Sequence, residues 1–422
     1  MKKNYLEEGY ITTTPPLSGR VKQRYTDFIV EEVTLEGVCE VKRYNKPMDE
    51  RNFEKMKIPQ NTEHKEQLIL EMEKINTDTI TALSTIARGI NTSKTRMGYA
   101  GLKDKRAVTC QRISIYDPDL KRMENFGVRG IELRNPHWGE RIELGDLQGN
   151  QFTIKIRDIS QNKEEIEKIV QEFVSQCDLG IPNYFGTQRF GGKRNITHRV
   201  GKLLLQQKFE EAVMSYLTET YEEEKIELKN ARINLAKTKD FAKALKEFPH
   251  DARTELAMLN HLVKHPTDYS NAFAALPKKI RYLFTHAYQS HLFNKMTQER
   301  IKILGKEALK PQKGDILEED YPTAMLPGYE STYAEGIQGK IEENILNNEG
   351  IEFKDFKVAG LAEISSQGAR KSIVLKPMNF NLVKIEEDDQ NAKKLAITLQ
   401  FYLTKGNYGT TLLRELIKEE IY

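Results

Sequence analysis

Residues 151–177, QFTIKIRDISQNKEEIEKIVQEFVSQC, contain the change of period on which the fold prediction depends. In the first part of this segment the apolar side chains of Phe152, Ile154 and Ile156 alternate with polar ones, which is typical of a β-strand with one buried face. From Ile166 onward the apolar residues instead recur at the spacing of one helical face. The segment therefore predicts a strand that is followed directly by a helix.

The same order of patterns returns near the C-terminus. Residues 395–403 alternate, and residues 412–417 then follow a helical pattern. Between the two units, residues 203–300 are dominated by helical periodicity, and residues 311–377 are interrupted by Gly and Pro. Because the two strand–helix units can share one sheet, we expect an α+β core built from both ends of the chain, with a mostly helical insertion. The expected boundaries are residues 1–183 and 377–422 for the core and residues 184–376 for the insertion.

The composition of the 422-residue chain is that of a folded protein with a mildly basic surface. It is 38% hydrophobic with a formal net charge of +3, so any nucleic-acid function must come from local clusters of Lys and Arg. Cys39, Cys110 and Cys177 are widely spaced without a CxxC pair, which favours buried thiols in a reducing compartment over a zinc ribbon or a disulfide framework. No N-terminal run has a signal-peptide pattern, and no stretch approaches the length of a membrane span. We therefore expect a cytoplasmic protein.

The stretch GYAGLKDKRAVTCQ, residues 98–111, places one acid in a basic loop. Asp104 has Lys103 on one side and Lys105 and Arg106 on the other, and short apolar runs on both sides of the loop predict strands. The basic composition is typical of a surface that meets a polyanion, and the carboxylate works against that purpose. The ordinary alternative is a solvated turn in which Asp104 only supplies turn hydrogen bonds.

A second basic segment, residues 187–208, contains no acid. Tyr184, Phe185 and Phe190 lie beside or within it, and cations mixed with aromatic rings suit contact with an RNA backbone and stacking on bases. About half of such aromatic residues are expected to be core residues instead. RNA is the partner that this composition favours. The basic residues of the segment are Arg189, Lys193, Arg194, Arg199, Lys202 and Lys208.

Other chemistries lack their usual sequence pattern. His261 and His265 are spaced to share a helix face, but no HExxH glutamate lies between them, so we predict no metal site. The chain has no GxSxG elbow, no GxxxxGK(S/T) loop and no GxGxxG after a strand. Acyl transfer, nucleotide hydrolysis and dinucleotide redox chemistry are therefore not indicated.

Five blocks of the sequence resemble the TruD family of tRNA pseudouridine synthases, in that family's order and across nearly the whole chain. They are GYAGLKDKRAVTCQ at residues 98–111, LGDLQGNQF at 144–152, NYFGTQRFGG at 183–192, HAYQSHLFN at 286–294 and KGNYGTTLLRE at 405–415. The resemblance implies a pseudouridine-synthase-type catalytic core, with a mixed or antiparallel sheet and flanking helices, and the family's mostly helical inserted TRUD domain.

The same resemblance implies an activity. The expected enzyme is an isomerase that converts uridine to pseudouridine in tRNA, typically at position 13, by glycosidic cleavage, rotation of the base and rejoining through carbon. No metal and no organic cofactor is implied. The implied partner is tRNA, with no membrane and no obligate protein partner.

Individual residues take roles from the resemblance. Asp104 is the implied catalytic aspartate, acting as nucleophile or base, and Lys22 occupies the family's basic active-site position. The other substrate-binding candidates are Asn150 and Phe152, which match the pair that lines the uridine pocket, Tyr408 near that pocket, and Arg370, whose role the resemblance does not specify. The candidate contacts to the RNA backbone are Lys103, Lys105, Arg106, Arg189, Lys193 and Arg194.

Two motifs depart from the family's pattern. Tyr25 and Thr26 stand where the family usually has Pro and Glu before Asp27, and Gly409 replaces a usual alanine. Neither change affects a proposed catalytic group, so both concern loop geometry. Asp27 itself is expected to be structural.

The residues are chemically suited to the implied reaction. Neighbouring cations favour the ionised form of a carboxylate, which is the form that acts as nucleophile or base, and the same cations can hold phosphates. Phe152 offers a ring face and Asn150 an amide that can read a uracil edge. By its strand pattern alone, however, Phe152 would be a core residue.

Two other functions fit part of the sequence. A non-catalytic RNA-binding or chaperone protein would use the same basic surface, but it needs no acid at the centre of that surface. A nuclease ordinarily requires clustered carboxylates or paired His side chains, whereas the basic loop supplies a single acid.

Overall fold

The computed structural model describes residues 9–48, 51, 56–62, 65–359 and 361–421, and it has the α+β architecture that the sequence predicts. Its strands are β1 (Arg20–Val21), β2 (Phe28–Thr34), β3 (Gly37–Val38), β4 (Gln67–Ile75), β5 (Met97–Tyr99), β6 (Val108–Tyr116), β7 (Ile131–Gly139), β8 (Gly149–Ile159), β9 (Ile181–Pro182), β10 (Leu317–Glu318), β11 (Tyr321–Leu326), β12 (Ala369–Ser372), β13 (Val374–Leu375), β14 (Met378–Glu387) and β15 (Leu395–Thr404). Its helices are α1 (Thr79–Gly89), α2 (Leu120–Glu124), α3 (Lys163–Gln176), α4 (Thr197–Leu205), α5 (Phe209–Thr218), α6 (Ile226–Thr238), α7 (Phe241–Glu247), α8 (Arg253–Lys264), α9 (Tyr269–Ala274), α10 (Lys278–Leu304), α11 (Gly336–Glu349) and α12 (Gly409–Ile417).

One mixed sheet draws its strands from both ends of the chain. Among the described residues it has 10 strands in the hydrogen-bonded order β14-β15-β8-β2-β6-β4-β7, and β1, β3 and β5 pair with β8, β2 and β6. Strands β2 and β6 run parallel, whereas the other pairs in this sheet are antiparallel. The mixed sheet expected for the core is therefore confirmed.

The predicted alternation places one apolar row across the central strands. Phe152 of β8 is buried and lies opposite Val30 of β2 on one side and Phe401 of β15 on the other. Opposite residues of neighbouring strands project from the same face, so these side chains form a continuous apolar row. Burial of each such side chain contributes roughly 1.5–3 kcal/mol.

The helix predicted after β8 is α3, and a capping box sets its start. The Asn162 side chain accepts a hydrogen bond from the backbone N–H of Glu165, and the Glu165 carboxylate accepts one from the backbone N–H of Asn162, at 2.9 Å each. Helix α3 then buries Ile166, Ile169 and Phe173 on one face. The second predicted strand–helix unit is β15 followed by α12, so both units are confirmed.

Helices α4–α11 and strands β10–β12 lie in the chain between β9 and β13. These two short strands pair with each other, with Ile181 opposite Leu375 and Pro182 opposite Val374. The segments that lead into and out of this region are therefore adjacent. Helix α10 lies at its centre and contacts α4, α11 and β11. Its buried residues include Phe284, Ala287, Tyr288, Leu292 and Met296, which recur at the helical spacing predicted for residues 203–300.

The surroundings of the three cysteines and of the His261–His265 pair indicate structural roles for these residues. All three cysteines are buried, as predicted, and burial raises the pKa of Cys39 to about 12. His261 contacts the Asp268 carboxylate at 3.1 Å, and no group of three or more His, Cys, Asp or Glu side chains in the described ranges is arranged to hold a metal ion. No helix in the same ranges is both long enough and apolar enough to cross a bilayer.

Candidate active site

The carboxylate of Asp104 lies on the loop that precedes β6, beside the ammonium of Lys22. Lys22 Nζ donates to Asp104 Oδ1 at 3.1 Å, and the Asp104 side chain is 44% exposed whereas that of Lys22 is 11% exposed. Lys22 follows β1 and has a left-handed φ of 59°. Its Nζ lies 4.1 Å from the centroid of the Phe28 ring, a cation–π contact that fixes its direction. The cation is thus shielded, and the carboxylate beside it stays open to a substrate.

Lys103, next to Asp104, holds the loop from the inside. Its Nζ donates to Glu32 Oε2 at 2.7 Å, and the two side chains are 3% and 0% exposed. The backbone N–H of Lys103 donates to Thr79 Oγ1 at 3.0 Å, and Thr79 in turn donates to Gln111 Oε1 at 2.9 Å. Gln111 Nε2 closes this network by donating to the carbonyl of Gly101 at 2.9 Å. A buried network of this kind rigidifies the segment that carries it.

A second buried lysine supports the backbone of Asp104 itself. Lys74 Nζ donates to the carbonyl oxygens of Asp104 at 3.0 Å and Thr77 at 2.7 Å. Burial lowers the pKa of Lys74 to about 8, and the charge of Asp104 opposes that shift. Lys74 therefore anchors the loop and adds a positive charge near it at neutral pH.

The three cations of this loop, all predicted to contact the RNA backbone, differ in their exposure. The sequence predicts Lys103 as an RNA-backbone contact, but its ammonium is enclosed with Glu32 and cannot reach a phosphate in this conformation. Lys105 and Arg106 remain exposed, and Arg106 makes one long contact, to the carbonyl of Gln23 at 3.5 Å. Lys105 and Arg106 are thus the cations of the loop that are available to RNA.

Sequence reasoning missed Glu32, Lys74 and Thr79. The available signal is a charged residue inside an otherwise apolar strand: Glu32 in FIVEEVT and Lys74 in QLILEMEKI. A buried charge requires a partner. Which partner it has depends on residues far away in the sequence.

Asn150 and Phe152 lie on β8, opposite Glu32 and Val30 of β2. Asn150 Oδ1 is buried and has no hydrogen-bond partner among the described residues, so it is an unpaired acceptor in this conformation. Phe152 is only 4% exposed, and its ring stacks on Phe401 with centroids 5.1 Å apart. The ring face that was expected to hold the uridine base is therefore covered by protein. Phe152 instead lies beneath the expected uridine pocket, as its floor.

Tyr408 and Gly409 join this floor at the start of α12. The Tyr408 ring is 49% exposed, whereas Gly409 is buried against Phe152. A Cβ atom at position 409 would lie 2.9 Å from the Phe152 ring. The replacement of the family's alanine by glycine thus lets α12 approach Phe152 closely.

The other departure from the family pattern falls in a short 3-10 turn, Tyr25–Asp27. Asp27 is buried and its two carboxylate oxygens accept from Arg157 Nε at 2.9 Å each. Arg157 also pairs with Asp388 at 2.9 Å, so this cluster ties the first part of the chain to the last. The structural role predicted for Asp27 is confirmed.

Arg370 does not join the Asp104 group. It lies on β12, where its Nη2 contacts Glu342 Oε1 at 2.5 Å and its Nε donates to Thr323 Oγ1 at 2.8 Å. Glu342 is fully buried, so the guanidinium of Arg370 already has a partner inside the protein. The expectation that Arg370 binds substrate is corrected: Arg370 connects β12 to α11 and β11.

The second basic segment is also largely occupied by ion pairs. Lys193 pairs with Glu223, and Arg194, 12% exposed, contacts Glu255 Oε1 at 3.5 Å. Arg194 is thus a structural residue rather than a surface contact, whereas Lys193 is exposed at the protein surface. Arg189 donates to Ser290 Oγ at 3.0 Å, and no carboxylate in the described ranges lies within 4 Å of it. Two of the three aromatic residues, Tyr184 and Phe190, are buried, while Phe185 is partly exposed.

Comparison with known proteins gives consistent matches over the whole chain. The family model described as tRNA pseudouridine synthase D (TruD) matches residues 6–321 and 318–416. A protein from Methanosarcina acetivorans named "Probable tRNA pseudouridine synthase D" is 36% identical over 444 residues, covering 97% of this chain and 95% of the relative. A protein from Methanocaldococcus jannaschii named "Probable tRNA pseudouridine synthase D 1" is 34% identical, covering 99% and 98% of the two chains.

A solved structure extends the similarity to three dimensions. The crystal structure of a TruD protein from Methanosarcina mazei superimposes on this chain with a TM-score of 0.76 at 34% sequence identity. The match covers 100% of this chain and 99% of the other. The similarity thus includes the main sheet and the region between β9 and β13.

Proposed function

The chain belongs to the TruD family of tRNA pseudouridine synthases, and we propose that Asp104 is the catalytic carboxylate with which it converts a tRNA uridine to pseudouridine. The observation that carries this proposal is the exposed Asp104 carboxylate, held beside Lys22 on a loop with buried anchors. A loop that only had to bind RNA gains nothing from an acid, because the carboxylate repels phosphate. The rigid support of an exposed acid is what a nucleophile or base requires.

The reaction balances without a second substrate. The bond between C1′ of the ribose and N1 of uracil breaks, the base turns, and a bond forms between C1′ and C5. C5 loses a proton and N1 gains one, so substrate and product have the same atoms and the same oxidation state. The protein needs only to hold the base, support the developing charges and move a proton.

Lys22 and Asp104 form the reacting pair in this proposal. The Lys22 ammonium lies 3.1 Å from the Asp104 carboxylate, and the Phe28 ring keeps the ammonium in place. Asp104 then acts either as a nucleophile that bonds to the ribose or to the uracil, or as a general base that removes a proton. Lys22 is the cation nearest to the charge on Asp104 in either role.

The substrate uridine has to leave its stack to reach Asp104. Asn150 is the proposed reader of the uracil edge, because its Oδ1 has no partner among the described residues and can accept the N3–H of uracil once the amide turns toward the ligand. Tyr408 offers an exposed ring for stacking, and Phe152 supports the region from below. Lys105 and Arg106 are the proposed phosphate contacts next to Asp104. Position 13 of tRNA is the proposed target, as is typical of the family.

We also propose a division of labour along the chain. Residues 1–183 and 377–422 form the catalytic core, and residues 184–376 form the inserted domain. The pairing of β9 with β13 at the two boundaries supports this division. We propose that the insertion covers the RNA, and that the enzyme works in the cytoplasm without an obligate protein partner.

The proposal is tested with purified protein and an unmodified tRNA transcript that carries tritium at C5 of uridine, without any added cofactor. We expect tritium release, because C5 must lose its hydrogen when the new bond forms. A transcript with cytidine at position 13 is the control for the target site. Tight binding of the transcript without tritium release would instead identify a non-catalytic RNA-binding protein.

A further inference from the structure

Two cations near Tyr408 have no carboxylate partner. The Arg189 guanidinium lies 5.5 Å from the centroid of the Phe185 ring, and Lys371 Nζ lies 5.6 Å from the same centroid. In the described part of the chain no carboxylate lies within 4 Å of either cation. This contrasts with Lys193 and Arg194 of the same basic segment, which pair with Glu223 and Glu255.

The surroundings of both cations are unfavourable for a bare positive charge. Burial lowers the pKa of Arg189, and burial lowers the pKa of Lys371 to about 8. The acid whose charge acts on Lys371 is Glu318, but its carboxylate lies more than 4 Å from Lys371 Nζ, and its Oε2 is held by the backbone N–H of Ser372 at 3.1 Å. Partly buried cations without a counter-ion are costly, and an incoming anion removes that cost.

The pair lies beside the proposed uridine pocket. Lys371 Nζ donates to the carbonyl of Gly406 at 3.4 Å, and Gly406 lies in the turn that leads through Tyr408 to Gly409. Gly409 packs on Phe152, and the Tyr408 side chain lies within electrostatic range of the Arg189 guanidinium. One short turn therefore connects the two cations, an exposed aromatic ring and the floor of the pocket.

We propose that Arg189 and Lys371, seated on Phe185, form a binding site for a phosphodiester of the RNA strand adjacent to the target uridine. Arg189 is the planar donor suited to two phosphate oxygens, and Lys371 is a point charge on the other part of the group. The exposed Tyr408 ring, which is proposed to stack on the target uridine, follows the Gly406 carbonyl that Lys371 contacts, so the bound phosphodiester is adjacent to that base. The proposal rests on the proposed function for its neighbour, the uridine pocket, and it adds Lys371, a residue that the sequence did not indicate.

The test measures tRNA affinity rather than turnover. The probes are the unmodified tRNA transcript and the same transcript with a single uncharged methylphosphonate at each linkage around position 13. The variants are Arg189→Gln and Lys371→Gln, and Lys354→Gln is the control because Lys354 is an exposed lysine, 74% exposed, paired with Glu352. Each site variant should lower the slope of log affinity against log salt by about 0.7–0.9, and the control should leave it unchanged.

The decisive result is a double-mutant cycle. One methylphosphonate should weaken binding to the wild-type chain about as much as each variant does, and it should cause no further loss in that variant. Equal additional losses at every linkage in every variant would overturn the proposal and assign both cations to packing. Lys371→Arg, which retains the charge, should restore the salt slope. Thermal unfolding shows whether the Gln variants are folded. If Lys371→Gln does not fold, Arg189→Gln alone provides the test. Affinity is measured without turnover. An absence of tritium release would therefore refute the proposed function, but the affinity measurements would still test the phosphodiester site.

Discussion

Residues 94–112 and residues 187–208 have similar basic compositions, but the two segments use their cations differently. In the first segment Lys103 is buried with Glu32, while Lys105 and Arg106 stay exposed around Asp104. In the second segment most cations meet acids from other parts of the chain. These pairs are Lys193–Glu223, Arg194–Glu255, Arg199–Glu219 and Lys202–Glu349.

The difference shows that the number of Lys and Arg residues in a stretch of sequence does not give the number of cations that are free to bind RNA. A Lys or Arg is available only when tertiary structure brings no carboxylate to it. Lys103 shows a third outcome, in which a cation stops being a surface charge and becomes the support of a neighbouring acid. Substituting a charged residue of either segment, or its ion-pair partner, therefore tests this difference.

The largest expected effect is that of Asp104→Asn. The amide has neither the charge nor the basicity of the carboxylate, so single-turnover pseudouridine yield should fall on the order of 10³-fold or more. Binding of tRNA should persist or tighten, because a negative charge is removed. Asp117→Asn is the matched control, since Asp117 is an exposed loop carboxylate paired with Arg96 at 3.0 Å. Appreciable turnover by Asp104→Asn would refute the proposed mechanism.

Lys22→Met removes the cation beside Asp104 but keeps the length of the side chain. Turnover should fall on the order of 10²-fold, and tRNA affinity should change much less, because only a cation 11% exposed is lost. Single-turnover yield and filter binding give the two quantities separately. The opposite split, with affinity lost and turnover of bound tRNA kept, would place Lys22 among the phosphate contacts.

Glu32→Gln tests the support of the catalytic loop. Breaking one side of a buried ion pair costs roughly 3–5 kcal/mol, because the Lys103 charge stays buried without its partner. Urea unfolding should show this loss, and the double variant Glu32→Gln with Lys103→Met should recover part of it. Glu140→Gln is the control, since Glu140 is 82% exposed in its pair with Lys65 and should cost less than about 1 kcal/mol. Equal effects of the two substitutions would show that the buried pair does not support the loop.

Glu349, the partner of Lys202 in the second segment, should make the stability of the fold depend on pH. Burial would raise its pKa, but the ammonium groups of Lys202 and Lys295 outweigh burial and lower the pKa to about 2. A carboxylate with a lowered pKa stabilises the fold above its unfolded pKa of 4.5, and this contribution is lost as the pH falls from about 4.5 toward 2. The difference in unfolding free energy between wild type and Glu349→Gln should therefore shrink over that range, from at most about 3 kcal/mol. A pH-independent difference would contradict the ion pairs.

The smallest expected effect compares one free cation with one paired cation. Arg106→Gln should lower the salt slope of tRNA affinity by about 0.7–0.9, because Arg106 is available to a phosphate. Arg199→Gln should leave the slope nearly unchanged, because Arg199 already contacts Glu219 at 2.7 Å. Titrations at several salt concentrations measure both slopes. Equal slopes for the two variants would remove the contrast between the two segments.

Sequence periodicity was sufficient for the two strand–helix units, β8 with α3 and β15 with α12. The alternation of Phe152, Ile154 and Ile156 and the helical spacing after Ile166 are local properties, and they appear as β8 and α3. The return of the same pattern after residue 395 indicated that both chain ends share one sheet, which the pairing of β15 with β8 confirms.

The partners of charged side chains could not be read in the same way. Arg370 looked available from its motif, yet Glu342 on α11 occupies it, and the Phe152 ring is covered by Phe401 from the other end of the chain. These contacts join residues that are far apart in the sequence, and no local pattern marks them.

The sequence by itself thus determined the α+β class, the position of Asp104 on a basic loop and, through five motifs, the family. Only the tertiary structure decided which cations are free, which acids are buried, and that Lys74, Lys103 and Glu32 hold the loop. The physical reason is that periodicity depends on neighbours a few residues away, whereas the state of a charge depends on its solvent exposure and on partners that folding brings from anywhere in the chain.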